Sequence, residues 1–185
     1  MAQVASQRVR GVRRVVTGTL PDGRSAVLAD GEAPRAIALE SEPRFRGALV
    51  WGTAQGPSLA DGPADVSETD CSFLPGPGET RFHLMRFPPD AEMFAAGADV
   101  EAIVREQHEQ MPGLAETFGP DGMHTTPTLD YAVVVTGEIW LELEDGEPLL
   151  LRAGDTVVQH GARHAWRNRS DAVVTMAFIM VGATR

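Results

Sequence analysis

The residue types best suited to chemistry lie in two short blocks, one at each end of a stretch from His124 to Asn168. The first block, residues 122–137, contains a histidine and an aspartate, and the second, residues 154–168, contains an aspartate and two histidines. Short apolar runs separated by turn residues join the two blocks, which is the pattern of a tight antiparallel sheet. Imidazole and carboxylate groups held at the ends of such a sheet could bind a metal ion.

The spacing within these blocks resembles the two sequence motifs of the cupin superfamily. The first cupin motif runs Gly, five residues, His-x-His, three or four residues, Glu, six residues, Gly. This chain matches it at His124, at the spacing to Asp130 and at Gly137. The second motif runs from Gly-Asp through a Pro-x-Gly turn to a histidine followed by an asparagine. Its matches here are Gly154, Asp155, His164 and Asn168.

Three departures from the motifs affect the metal site that the resemblance implies. Thr126 stands where the second histidine belongs, Asp130 replaces glutamate, and the turn at residues 161–163 is one residue shorter and lacks the proline. The resemblance therefore implies a reduced ligand set of His124, Asp130 and His164. Two imidazoles and one carboxylate are the ligand set of non-haem iron(II) enzymes, so Fe(II) is favoured over Zn, Mn or Ni.

The activity that the resemblance implies is that of a small, metal-dependent cupin enzyme. Its substrate is expected to be a small organic molecule, aromatic or polyketide-like. The open ligand set favours an iron(II)-type dioxygenase over an isomerase, a cyclase or a decarboxylase. The replacement of the second histidine by Thr126 leaves an alternative, a non-catalytic cupin that binds or senses a ligand. No catalytic residue other than the metal ligands is assigned.

Five further side chains are candidates for contact with a substrate. Alternate residues of a strand share a face, so Thr126 is expected to point the same way as the first motif histidine. His160 is either a surface turn residue or a donor close to the site. His83, one strand earlier, could supply the missing imidazole if its face is inward. Tyr131 and Trp166 either pack in the core or line an apolar, aromatic pocket.

The pattern of apolar and turn residues predicts an all-β fold, and the resemblance specifies a cupin-type jelly-roll barrel. Five short β-rich runs follow Asp130, and so many strands in so short a stretch close into a barrel or a two-layer jelly roll. A further alternating run precedes the first motif. The six runs are residues 80–87, 131–135, 139–143, 149–151, 156–158 and 173–181.

Two segments lie outside these barrel strands. Residues 9–20 and 25–28 predict a β-hairpin arm, which either packs on the barrel or crosses to a second subunit, and a Gly- and Pro-rich surface loop follows it. A short helix capped by Asp99 lies in an insertion before the first motif, and such an insertion could cover the barrel mouth. The expected division is an arm with its loop at 1–79 and a barrel at 80–185, with the insertion at 91–121.

Composition excludes several classes of function. The chain has 185 residues, 43% of them hydrophobic, and a formal net charge of −10, which disfavours binding to nucleic acid. No apolar run is long enough to span a bilayer, and the first residues lack the apolar stretch of a secretory signal. A single cysteine, Cys71, fits a reducing compartment. We therefore expect a cytoplasmic homodimer without membrane contacts, whose partner is a small-molecule substrate.

Overall fold

The computed structural model describes residues 11–59 and 62–184, and that part of the chain is mostly β-structure. All strand pairs within it are antiparallel. In chain order the strands are β1 (Arg13–Thr19), β2 (Ser25–Glu32), β3 (Arg35–Ala38), β4 (Arg46–Thr53), β5 (Thr80–Phe87), β6 (Thr128–Thr136), β7 (Glu138–Leu143), β8 (Leu149–Arg152), β9 (Thr156–His160), β10 (His164–Arg167) and β11 (Val174–Gly182).

Strands β3 to β11 form two sheets that share a core. The larger sheet has the strand order β3-β4-β5-β11-β6-β9, and the smaller has the order β10-β7-β8. Met176 of β11, Val134 of β6 and Ile139 of β7 are buried in one apolar cluster, so both sheets turn an apolar face towards the same interior. The all-β, two-layer jelly roll that the sequence predicts is confirmed.

From residue 80 onward, the strand predictions agree with the structure except at β10. The run at residues 80–87 is β5, and the five runs after Asp130 are β6, β7, β8, β9 and β11. β10 lies inside the second motif and was not predicted. Its residues, His-Ala-Trp-Arg, read polar, apolar, apolar, polar, so they lack the alternation by which a strand is identified in a sequence.

The sequence predicts that the barrel starts at residue 80. In the structure, the larger sheet begins earlier in the chain. β4 pairs with β5, with Ala48 opposite Leu84, and β3 pairs with β4. The N-terminal segment therefore adds two strands to this sheet besides the predicted hairpin, which is β1 and β2. The hairpin packs on β4, where Arg14 donates to the Val50 carbonyl at 3.2 Å. Residues 9 and 10 of the predicted arm lie outside the described residues, and exchange of the arm between subunits stays a prediction.

The insertion before the first motif contains two helices, α1 (Asp90–Met93) and α2 (Val100–Gln110). Asp99 caps α2, as predicted, because its carboxylate accepts a hydrogen bond from the Ala102 N–H at 2.9 Å. The side chain of Ile103 is buried against the core of the larger sheet, so the insertion is fixed to the barrel on one side. No helix in the described part of the chain has the length and apolar character needed to cross a membrane.

Candidate active site

Two histidines that are far apart in the sequence meet at one end of the jelly roll. His164 begins β10, and His124 pairs with it through an isolated β-bridge. Each backbone N–H donates to the carbonyl of the other residue at 2.9 Å. The bridge places the centres of the two imidazole rings 4.3 Å apart, with the rings tilted by 49°. The convergence of these two predicted side chains is therefore a direct result of sheet pairing.

The hydrogen bonds of the two rings leave one nitrogen of each ring available. Nδ1 of His164 lies 2.9 Å from the Ala162 carbonyl, and Nδ1 of His124 lies 3.4 Å from the Gly122 carbonyl. A carbonyl can only accept, so Nδ1 carries the hydrogen in both rings and Nε2 keeps a lone pair. The same arrangement of a ring nitrogen on a backbone carbonyl fixes the tautomer of many functional histidines.

Burial keeps both imidazoles in the neutral form. The pKa of His124 falls from 6.5 to about 4, chiefly through loss of hydration and secondarily through the neighbouring His164 ring. The pKa of His164 is also lowered, again by loss of hydration. No acidic group among the described residues offsets the lowering of the pKa of either ring. Both imidazoles are therefore uncharged bases at neutral pH.

Aromatic rings surround the two histidines on both sides. The Phe118 ring meets the His124 ring edge-on at 4.8 Å between centres, and the Trp166 ring meets the His164 ring at 5.7 Å. Phe178 extends the row, with its ring centre 5.6 Å from that of Trp166. The rings hold the imidazoles in place and exclude water from one side of them.

Asp130 lies in the same cavity, on the inward face of β6. It is 5% exposed, and its Oδ1 has no hydrogen-bond partner among the described residues. Burial raises the pKa of this carboxyl, and the nearby hydroxyls of Thr128 and Thr126 offset the effect only in part. The environment of Asp130 therefore favours its protonated, uncharged form.

These polar groups line a cavity of about 540 Å³, which is the usual size of a small-molecule site. One wall is formed by the strands and includes Met180 and Phe178 of β11. The other wall is formed by the insertion and includes Ile103 and Phe118. The insertion thus covers one side of the cavity, as the lid interpretation of the sequence predicted.

Two of the five predicted substrate contacts line this cavity. Trp166 does so beside the histidine pair. His83 does so from β5, so its face is inward, and it is 2% exposed. Its Nε2 lies 3.0 Å from the Phe73 carbonyl, to which it donates, and its Nδ1 has no partner in the described part of the chain. His83 therefore shares the cavity with the histidine pair, with one nitrogen committed to the backbone.

The structure places the other three predicted contacts elsewhere. Tyr131 follows the inward-facing Asp130 and therefore points outward, where it is 45% exposed. Thr126 is buried in the interior of the barrel but does not line the cavity; its hydroxyl accepts from Thr128 at 2.7 Å. His160 is exposed and lies with Thr126 around a smaller, separate pocket. None of the three contacts the space beside the histidine pair.

The side chains at this site offer two ligands to a metal ion and not three. Within residues 11–59 and 62–184, no group of three or more His, Cys, Asp or Glu side chains is arranged to hold an ion. His124 and His164 offer two nitrogen ligands, but Asp130 does not complete them, although it lies in the same cavity. The three-ligand iron(II) site implied by the motifs is thus not assembled, and Fe(II) binding stays a prediction.

The sequence did not identify two contributors to this site. Phe118 lies in an irregular part of the insertion, where no periodic pattern marks it as a wall of the cavity. The Ala162 carbonyl that orients His164 is a backbone group, which the identity of its residue does not reveal. The position of Ala162 two residues before a motif histidine is the only sequence feature that could have indicated it.

No family model matches the chain. It is 52% identical over 78 residues to phomopsin biosynthesis cluster protein D of Diaporthe leptostromiformis, a match covering 42% of this chain and 36% of that protein. It is 44% identical over 46 residues to the cupin-domain-containing oxidoreductase virC of Hypocrea virens, covering 25% of this chain and 24% of the relative. The chain therefore spans between about a quarter and just over a third of the length of these relatives.

A solved structure of a Cupin 2 conserved barrel domain protein from Salinispora arenicola is 14% identical to this chain. The match covers 78% of this chain and 82% of that protein, with a TM-score of 0.40. The antiparallel two-sheet fold, the two motif histidines that meet at its end and the relatives that carry cupin domains agree with one another. In fold and in sequence, the chain is therefore similar to proteins that contain a cupin domain.

Proposed function

We propose that the protein is an enzyme that transfers a proton on a small, largely apolar organic molecule bound in the cavity. The observation that carries this proposal is the pair of neutral imidazoles, 4.3 Å apart, each with a free Nε2. A neutral imidazole in a water-poor cavity is a general base. It would take a proton from one position of the substrate and return it at another, as an isomerase or a cyclase requires.

The two rings act as one base because they lie so close together. A proton on either Nε2 places a charge beside the other ring, so the second ring stays neutral. Asp130, whose burial favours the protonated form, supplies a polar group elsewhere in the same cavity. The relatives named as proteins of biosynthesis clusters support a role in forming or rearranging a small metabolite.

A second candidate function is metal-dependent oxidation, the chemistry implied by the cupin motifs. The orientation of both rings by backbone carbonyls favours it, because metal-binding histidines are usually held in this way. Relatives named as cupin-domain-containing oxidoreductases also support it. His124 and His164 would then hold a divalent ion, with Fe(II) the preferred species, and the ion would supply Lewis-acid or redox chemistry.

The ring opening of 5-nitrobenzisoxazole tests for a base in an apolar cavity. A base removes the single proton on the carbon of the five-membered ring, the N–O bond breaks, and a coloured cyanonitrophenolate is released. After dialysis against a chelator, the protein is expected to accelerate this reaction roughly a hundredfold over buffer alone. His124→Ala and His164→Ala should each lose at least about tenfold of that rate.

His160→Ala is the matched control, since this exposed histidine lies outside the cavity. Equal rates for all three variants would overturn the proposal. Elemental analysis of the purified protein distinguishes the second candidate. One bound metal per chain, lost in His164→Ala and required for the activity, would replace proton transfer with metal chemistry. Thermal stabilisation by the probe without turnover would instead favour a non-catalytic binding protein.

A further inference from the structure

Three apolar side chains at the edge of the cavity are exposed to solvent. Phe94, Val100 and Val104 are 55%, 42% and 45% exposed, and all three line the same cavity as the histidine pair. Val100 and Val104 are one turn apart on α2 and therefore lie on one face of the helix. Ile103, on the same helix, is 2% exposed. The exposed side chains therefore form an apolar rim that continues the cavity wall outward.

The charged groups of the cavity show which substrates this site disfavours. The carboxyl groups of Asp90 and Asp121 line it, together with the deeper carboxyl of Asp130, whose burial favours the uncharged form. Arg167 is the one cationic Lys or Arg among the described lining residues. Arg167 is already engaged, since its Nε donates to Glu142 at 2.7 Å and its terminal nitrogen donates to the Asp121 carbonyl at 2.6 Å. No cationic side chain is thus left to pair with a carboxylate or a phosphate of a substrate.

Arg163, next to His164 in the sequence, does not supply a free cation either. It bonds Asp121 at 2.8 Å and Glu144 at 3.4 Å and does not line the cavity. The charge distribution of the site therefore disfavours an anionic substrate.

We infer that the substrate is an elongated molecule without an anionic group, with a polar head at His124 and His164 and an apolar tail that leaves the cavity across the rim of Phe94, Val100 and Val104. This inference rests on the proposed function, which places the reacting head at the histidine pair. The tail would cover apolar side chains that otherwise face water, and exposed apolar patches beside a cavity commonly mark such contacts. A tail of this kind explains why the insertion carries these residues on its outer face.

A series of 4-alkylphenols tests the length of the site. The phenol hydroxyl can donate to a free Nε2, and ethyl, butyl and hexyl chains reach progressively further towards the rim. Each buried methylene is expected to tighten binding about fourfold, the equivalent of about 0.8 kcal/mol. Binding can be followed through the fluorescence of Trp166, which lines the cavity. An affinity that stays flat from ethyl to hexyl would overturn the inference.

The variants Val104→Asn and Val135→Asn form a matched pair. The two valines are 45% and 46% exposed, but only Val104 lines the cavity. Val104→Asn is expected to weaken binding of 4-hexylphenol about five- to tenfold and to leave 4-ethylphenol unchanged, while Val135→Asn changes neither. Equal effects of the two variants would remove the rim from the substrate path.

These results are independent of the test of proton transfer. A flat chain-length series, or no phenol binding at all, combined with a ring-opening rate that still depends on the histidine pair, overturns only the elongated substrate. A steep chain-length series with no rate loss in His124→Ala or His164→Ala supports the rim as a binding surface and overturns the proposed chemistry.

Discussion

The imidazole of His83 loses its hydration in the barrel and gains only one backbone hydrogen bond in return. Its pKa falls from 6.5 to about 4, chiefly through burial, while the bond to Phe73 opposes the shift and the nearby Arg81 adds to it. Between these two values the unfolded chain binds a proton that the folded chain does not. The contribution of His83 to stability is thus complete above pH 6.5 and is lost as the pH falls towards 4.

A comparison of the parent protein with His83→Phe measures this effect. The variant keeps a ring against Phe73 but cannot titrate, so the stability advantage of the parent should shrink by about 2 kcal/mol between pH 7 and pH 5. Urea unfolding at both pH values gives the two differences. The buried carboxyls Asp90 and Asp130, whose pKa values are raised, act in the opposite direction but are common to both proteins.

His160→Gln serves as the control for this measurement, because His160 is exposed. Any change in its stability with pH is the baseline against which the change in His83→Phe is compared. A constant difference between the parent and His83→Phe at pH 7 and pH 5 would show that His83 is not held neutral by burial.

Helix α2 forms one wall of the cavity and is held to the strands by polar contacts near its C-terminal end. Gln110 pairs with both backbone groups of Ala38, accepting from its N–H at 2.8 Å and donating to its carbonyl at 3.1 Å. Glu106 accepts from the N–H of Glu40 at 2.7 Å. These bonds fix the helix to the segment after β3, so the position of the wall depends on the N-terminal part of the chain.

Gln110→Ala should loosen α2 without unfolding the barrel. Both hydrogen bonds to Ala38 are lost, and hydrogen exchange of the α2 amides should rise about tenfold, which corresponds to about 1.4 kcal/mol of local stability. Amides of the central strand β11 should be unaffected. Glu109→Ala, at an exposed position on the same helix, is the control. Equal exchange in the two variants would mean that Gln110 does not anchor the helix.

At the scale of the whole molecule, backbone hydrogen bonds join the long loop before β5 to the end of β11. Gly182 bonds this loop on both sides, since its carbonyl accepts from Gly78 at 2.9 Å and its N–H donates to Glu79 at 3.0 Å. An added Cβ at Gly182 would lie 1.8 Å from the carbonyl oxygen of Gly76. That oxygen belongs to the backbone, so a clash could be relieved only by moving the loop away from the sheet.

Gly182→Ala is therefore expected to destabilise the fold by about 2 kcal/mol or more, equivalent to a fall of about 4–8 °C in the melting temperature. Gly31→Ala is the matched control, because nothing lies within 4 Å of a Cβ added there. Thermal unfolding followed by circular dichroism compares the two variants. Similar melting temperatures for both would show that the loop does not press against the end of β11.

Short-range patterns in the sequence determined most of the elements. The alternation of apolar and polar residues predicted β5 and β6, and a capping aspartate predicted the start of α2. Turn residues predicted the boundaries between strands. All three signals depend only on residues that are close together in the chain. The motif spacing also indicated His124 and His164, since cupin motifs reflect the sheet pairing that joins them.

Only the tertiary structure decided what surrounds those histidines. Asp130 matches its motif position, yet it does not complete a three-donor group with the two imidazoles, because distances between strands depend on side-chain packing. Phe118 and Val104 became cavity walls because the insertion folds back over the barrel, which no local pattern specifies. The motif spacing in the sequence therefore predicted which two histidines meet. The packing between the sheets and the insertion determined which groups surround them, and hence which chemistry they can perform.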